Sequence, residues 1–418
     1  MLESLAWASR VWNVFANLTL LEKPYFLSSA LAKVLTNPHI DKLVQISWRE
    51  SRSHVNEIVF TRKSDDADLS KPINEKDDSV EKQEGDLPLS FTKEGRTQVF
   101  EETPIATSNK VIIAVDTGLV HLGDFVGGGI AFAIRGTAIC QISNEPEWVL
   151  RYNTGPLLVD HKNIVSSLRY IGQRLGNEEL YLDKLNDGTF TTKEQILSNA
   201  NQIQDRFRNF VERVIQEEAI GIMMANNRGL LLIDGALPAG TFDTPALYMR
   251  QMLETTLNNR IDVAAISKKT RITIAGKPLG SLFDEKPAFV GYMPLTEVIT
   301  AERERLAQQG LVRRAEDVTL GNEIYAARFG LGPPALTFRV DVKNSKRSTP
   351  ADVVNAVFSD CQIYGCYPKL LIEAHQHSSF LHQDIQLLLA DLVVRTGAHP
   401  KERQSMDWLF APVGSFGK

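Results

Sequence analysis

Two apolar runs in this chain end in a carboxylate and a glycine. Residues 111–118 read VIIAVDTG and residues 230–235 read LLLIDG. Each is expected to be a buried strand that delivers an aspartate, Asp116 or Asp234, to its carboxyl end. In an open sheet, adjacent strand ends form the usual ligand crevice, and carboxylates gathered there are hard oxygen ligands suited to Mg²⁺ or Mn²⁺. Asp-Gly after a strand is also common turn chemistry, so the pair of motifs says more than either alone.

Other residue types that can serve such a centre lie between and beyond the two strands. Over residues 192–225, Ile203, Phe207, Phe210, Val211, Val214, Ile215, Ile222 and Met223 recur at three- and four-residue steps, which predicts an amphipathic helix. Glu218 falls on its apolar face with Glu217 beside it. A buried carboxylate is costly unless paired or bound to metal, so one of the two is a candidate third ligand, with a solvent-reaching acid as the alternative. A strand over 261–266 runs into Lys268, which can hold a phosphate or offset developing negative charge. His375 and His377 are not spaced four apart, as a zinc-protease helix requires. A single histidine near the carboxylates can act as metal ligand or proton shuttle.

The elements that must position these groups follow from the pattern. Residues 1–61 form a small helical segment ending in a strand, and residues 62–100 a charged, apolar-poor insertion expected to be disordered. Residues 101–418 form the main domain. Within it, residues 130–142 are a hairpin partner for the first strand. Gly127, Gly128 and Gly129 lack the Gly-Lys-Ser/Thr of a P-loop and read as a turn. Helices are expected over 244–258, 296–309 and 385–394, with a further strand in the run ALTFRVDV.

Composition leaves nucleic acid open as a partner. The formal net charge is −5, but residues 64–90 carry nine acids against three lysines, or −6, which leaves the rest of the chain at +1 by subtraction. No apolar run is long enough to span a bilayer, and the first ten residues place Glu3 where a signal peptide carries positive charge. Cys140, Cys361 and Cys366 show no paired ligand spacing, so neither a disulfide framework nor a zinc site is expected. A reducing cytoplasm is the simplest compartment.

The order of motifs resembles the NurA nuclease family. VDTG, a helix carrying Glu, LIDGAL, ISKKT and YPKLLIEAHQHSSFLHQD follow one another between residues 111 and 392. The resemblance implies an α/β, RNase H-like mixed sheet flanked by helices, with a helical N-terminal extension. It also implies a Mn²⁺-dependent nuclease (Mg²⁺ as the substitute) that acts on single- or double-stranded DNA ends in double-strand break repair. Such an enzyme works as a homodimer with a HerA-type hexameric ATPase. Carried over by position, Asp116, Glu218 (with Glu217 as the alternative), Asp234 and His375 match the metal and catalytic set. Lys268 matches the Ser-Lys lysine, and Tyr248 is a candidate active-site tyrosine. The family has Gly then Ser after the first aspartate, where this chain has Thr117 then Gly118. Two other readings compete: an actin-like ATPase or kinase, which would need a glycine-rich adenosine pocket, and a degenerate nuclease fold kept as an adaptor.

Overall fold

In the computed structural model, the described residues are 33–49, 57–59, 90–91, 111–125, 128–142, 147–176, 192–226, 228–237, 246–268, 270, 272–274, 277–284, 290–297, 299–300, 308, 319–330, 337–361, 367–397 and 399–400. The centre of the fold is a hairpin of two long strands, β2 (Val111–Phe125) and β3 (Gly129–Ile142). β1 is Lys33–Leu35, β4 Trp148–Asn153, β5 Gly229–Asp234, β6 Ile261–Ser267, β7 Gly291–Pro294, β8 Glu323–Arg328 and β9 Phe338–Lys343. The sheet runs β1-β4-β3-β2-β5-β6-β9-β8-β7. β2, β3 and β4 form an antiparallel meander, β5 and β6 continue it in parallel with β2, and the far edge returns to antiparallel pairing. This is the mixed α/β sheet flanked by helices expected from the sequence.

The described helices are α1 (Pro38–Arg49), α2 (Ile164–Arg174), the short α3 (Lys193–Ser198), α4 (Ala200–Ala225), α5 (Ala246–Asn258), α6 (Pro350–Cys361), α7 (Lys369–Ser378) and α8 (His382–Thr396). Side chains alternate across a strand, and β2 sorts its residues accordingly. Val111, Ile113 and Val115 join a core with Phe207, Phe210, Val211 and Ile215 of α4. Ala114 joins Val353, Val357, Leu370 and Ala374 of α6 and α7. On β5, Leu231 and Ile233 take the α4 side, and Leu230 and Leu232 the α7 side. Each fully buried Phe or Ile on these faces contributes about 1.5–3 kcal/mol, so the alternation fixes register as well as stability.

Several boundaries differ from the sequence reading. Asp116 does not end its strand: Leu119, Val120, Leu122 and Phe125 carry the apolar pattern on, and the register shifts between His121 and Gly123. The strand reads as ending at Gly118 because a glycine within a strand looks like a stop. Gly128, at φ 85°, donates its N–H to Phe125 O at 2.8 Å and closes the hairpin, as the turn reading expects. The long helix splits into α3 and α4 at Asn199. Leu5, Ala8, Trp12, Phe15 and nearly all of the acidic stretch 62–100 lie outside the described residues, as does most of 296–309.

Candidate active site

The parallel pairing of β2 with β5 matches Val115 to Ile233, so Asp116 and Asp234 follow at the same level of adjacent strands. Both continue the even-numbered face that packs on α7. Asp116 is 1% exposed. Its Oδ2 accepts from Ser378 Oγ at 3.0 Å and lies 2.9 Å from His375 Nδ1. His375 and Ser378 are three apart on α7 and therefore share a face of the helix. A carboxylate can only accept, so the contact assigns the Nδ1 proton to His375, and in the neutral ring Nε2 carries the lone pair.

Asp234 has its own partners. Lys268 Nζ lies 2.8 Å from Asp234 Oδ2, and Tyr367 donates its hydroxyl to Oδ1 at 3.3 Å and to Ile266 O at 3.4 Å. The ammonium also sits 4.9 Å from the centre of the Tyr367 ring, a cation–π distance. Burial, then the charges of Asp234 and Asp116, push the Tyr367 phenol well above its ordinary range, so it stays a donor. The loop after Asp234 is tied down from beneath. Leu237 N donates to Asp341 Oδ2 at 2.8 Å, and Arg339 grips Asp341 through Nε at 2.8 Å and Nη2 at 3.0 Å.

The structure thus brings Asp116, Asp234, Lys268 and His375 to one face. Glu218 and Glu217 are not with them, because α4 packs on the other face. Glu218 is hydrogen-bonded to Asn37. Burial pushes its carboxyl up to about 7, against hydrogen bonds from Tyr152 and Asn37 that favour the charged form. Glu217 pairs with Arg174 and accepts from Tyr248 at 2.6 Å, which places Tyr248 away from Asp116 as well. The helical period correctly turned these acids inward, but it could not say toward which face of the sheet. The α4 acid nearest the level of Asp116 is Glu212, 2% exposed, which accepts from Thr117 Oγ1 at 3.0 Å and Gln216 Nε2 at 3.1 Å. Its spacing of three and seven from Ile215 and Ala219 was the available signal. Ser378 was signalled by its three-residue spacing from His375. Tyr367 had no signal, since its reach to Asp234 is long-range.

Among the described residues no three His, Cys, Asp or Glu side chains converge on a ready-made metal position. Two oxygen-donor carboxylates and an imidazole on one face are still a donor set of the right chemistry for Mn²⁺ or Mg²⁺. No helix among the described residues is long and apolar enough to cross a membrane.

No protein-family model matches the chain, and a search of curated proteins finds no match. Solved structures give weak similarities. The NurA nuclease from Sulfolobus solfataricus aligns at 13% identity over 70% of this chain and 86% of its own, with a TM-score of 0.34. NurA bound to dAMP and manganese aligns at 10% identity over 70% and 90%, with a TM-score of 0.32. NurA with manganese aligns at 10% identity over 70% and 91%, with a TM-score of 0.30. The site's own geometry, rather than this likeness, supports the reading that follows.

Proposed function

We propose that this protein is a divalent-metal-dependent deoxyribonuclease, a phosphodiester hydrolase with its centre at Asp116 and Asp234. The observation that carries the proposal is the pairing of two aspartates at one level of adjacent parallel strands, one held by His375 and the other by Lys268. Asp116 and Asp234, with His375, are the residues that would hold Mn²⁺ or Mg²⁺. The bound cation supplies Lewis acidity toward a phosphoryl oxygen and lowers the pKa of water.

The chain's own groups account for the remaining needs of the reaction. Lys268 is 44% exposed at its side chain, so it can leave Asp234 for a phosphate oxygen and offset charge there. Tyr367 remains protonated and donates to Asp234, which fixes the carboxylate's orientation. Ser378 and His375 do the same for Asp116. His375 Nε2 is left to ligate the cation or to take a proton from the attacking water. Glu218, carried over from the resemblance, is left out of this set because its carboxylate lies across the sheet.

Action at DNA ends in double-strand break repair, a HerA-type hexameric ATPase partner, a homodimeric state and a cytoplasmic location are companion proposals drawn from the sequence resemblance. The test is cleavage of end-labelled linear DNA, single- and double-stranded, by wild type and Asp234→Asn, with Mn²⁺, Mg²⁺ or EDTA. Metal-dependent cleavage that the variant lacks supports the reading. Absence of cleavage under every condition, with or without the ATPase, would overturn it in favour of an adaptor.

A further inference from the structure

The face that carries Asp116 continues sideways onto the meander. Asp116 pairs with Thr137 on β3, and Thr137 pairs with Arg151 on β4, so the three side chains form one row across the sheet. At ~4.8 Å per strand, the Arg151 Cα lies about 10 Å from that of Asp116. The neighbouring row runs Gly118, Arg135 and Asn153. Two arginines therefore stand side by side next to the proposed active site.

Their situations differ. Arg135 is tied down: Nη1 donates to Ser379 O and to Asp384 Oδ2, each at 2.9 Å, Nε donates to Asn153 Oδ1 at 3.0 Å, and the guanidinium lies 4.5 Å from the Phe380 ring centre. It anchors the start of α8 to the sheet. Arg151 is half-buried and donates through Nη2 to His377 Nδ1 at 2.8 Å. Its Nε is sealed from solvent with no acceptor, and the carboxylate whose charge it feels, Asp384, is the one that Arg135 already holds. A guanidinium only donates, so His377 Nδ1 must carry the lone pair. The ring is then neutral, and its Nε2–H points away from Arg151. Between the two ends of the row, the Thr137 hydroxyl is buried with no partner. Asp384 offsets only part of the charge of the two arginines, and the remaining planar donors of Arg151 match phosphate oxygens.

We infer that Arg151 holds a phosphate of the DNA strand flanking the one cleaved at Asp116 and Asp234. Arg151 is a positioning residue, and it makes the preferred substrate a polynucleotide rather than an isolated phosphodiester. The separation of ~10 Å corresponds to roughly three nucleotides at ~3.4 Å of axis each, or fewer once the reach of the side chain is included. This inference rests on the nuclease reading and specifies how its substrate lies.

The test compares wild type, Arg151→Gln and Arg151→Lys on a short oligothymidylate and on the thymidine dinucleoside monophosphate, which offers only the scissile phosphate. Loss of one charged hydrogen-bonding contact predicts a fall in kcat/KM on the oligonucleotide of ~10- to 100-fold in Arg151→Gln. The fall should lie mainly in KM, with unchanged kinetics on the dinucleotide and partial recovery in Arg151→Lys. Oligonucleotide binding in EDTA, read by fluorescence anisotropy against salt, should show a log–log slope smaller by ~0.7 in Arg151→Gln. Wild-type-like oligonucleotide kinetics in Arg151→Gln, or equal losses on both substrates, would overturn the inference and leave the nuclease reading standing. If wild type cleaves neither substrate with any metal, the nuclease reading fails. The EDTA binding slope then decides Arg151 by itself: an unchanged slope removes it, and a reduced one keeps it as a phosphate contact.

Discussion

Gly118→Ala isolates the contact between β2 and α7 that places His375. A methyl group built on Gly118 would sit 2.1 Å from Ser378 O and 2.8 Å from Ser378 C, both backbone atoms that cannot rotate aside. Relief to an ordinary separation of ~3.2 Å moves the end of α7 by about 1 Å. The two bonds to Asp116, 2.9 Å from His375 and 3.0 Å from Ser378, would then stretch to about 4 Å, beyond hydrogen-bond range. The expected costs are ~1–3 kcal/mol of stability and, for a displaced catalytic group, up to ~10²-fold in kcat. Gly136→Ala is the matched control on the other face. Its methyl meets Ile215 Cδ1 at 1.9 Å, the mobile tip of a side chain, so it should cost ~1 kcal/mol of stability and leave kcat unchanged. Urea unfolding and DNA cleavage would be measured on both. Wild-type kcat in Gly118→Ala, or equal kcat losses in the two variants, would show that this close approach does not set the site.

Other substitutions probe separate parts of the same reasoning. Lys268→Ala should lower kcat on DNA by ~10²–10³-fold without changing the fold by circular dichroism, and a smaller effect than tenfold would remove it from the phosphate. Glu218→Gln should leave cleavage intact, since Glu218 faces away from Asp116, and a hundredfold loss would restore it to the site. The same variant tests stability against pH. The folded carboxyl titrates at about 7 against 4.5 for its ordinary value, so the native state binds the extra proton and wild type loses stability as pH rises through that window. The loss relative to Gln should approach ~3 kcal/mol above neutrality, measured by urea unfolding at pH values on either side. Asp341→Ala, which removes the carboxylate that holds both Arg339 and Leu237 N, should cost ~3–5 kcal/mol and reduce cleavage by freeing the loop after Asp234. Equal stability to wild type would show that the buried pair does not brace that loop.

Much of this arrangement was legible in the chain. The runs VIIAV and LLLI declare two core strands by composition, each delivering an aspartate, but their parallel adjacency is seen only in the fold, since further sheet strands, including β3 and β4, lie between them in the chain. Asp116 and Asp234 were therefore readable as candidates for one crevice, and the register made them neighbours. What sequence could not supply was the facing of the intervening helix. α4 buries acids on a broad front, from Glu212 to Glu218, and periodicity alone cannot say which of them meets the sheet at the level of Asp116. The partners Tyr367 and Arg151 were equally hidden. Each reaches its contact through a register between distant segments, and neither has a local pattern that separates it from an ordinary core tyrosine or strand arginine.

The order Thr117-Gly118 has a physical reason in this fold. Successive residues of β2 face opposite sides, so Thr117 presents its hydroxyl to Glu212 on α4, while Gly118 lies beneath the end of α7. The Gly-Ser order of the resembling family would exchange those environments. At 117, glycine would leave Glu212, 2% exposed, without the hydroxyl that it accepts from, and an underbonded buried carboxylate is costly. At 118, any side chain would collide with the Ser378 carbonyl at 2.1 Å. Ser378 itself provides the hydroxyl that reaches Asp116 from above. A hydroxyl donor to this face therefore comes from the helix rather than from the strand, and the close packing of α7 that delivers it is possible only because residue 118 is glycine. The departure in sequence and the placement of His375 are two consequences of the same contact.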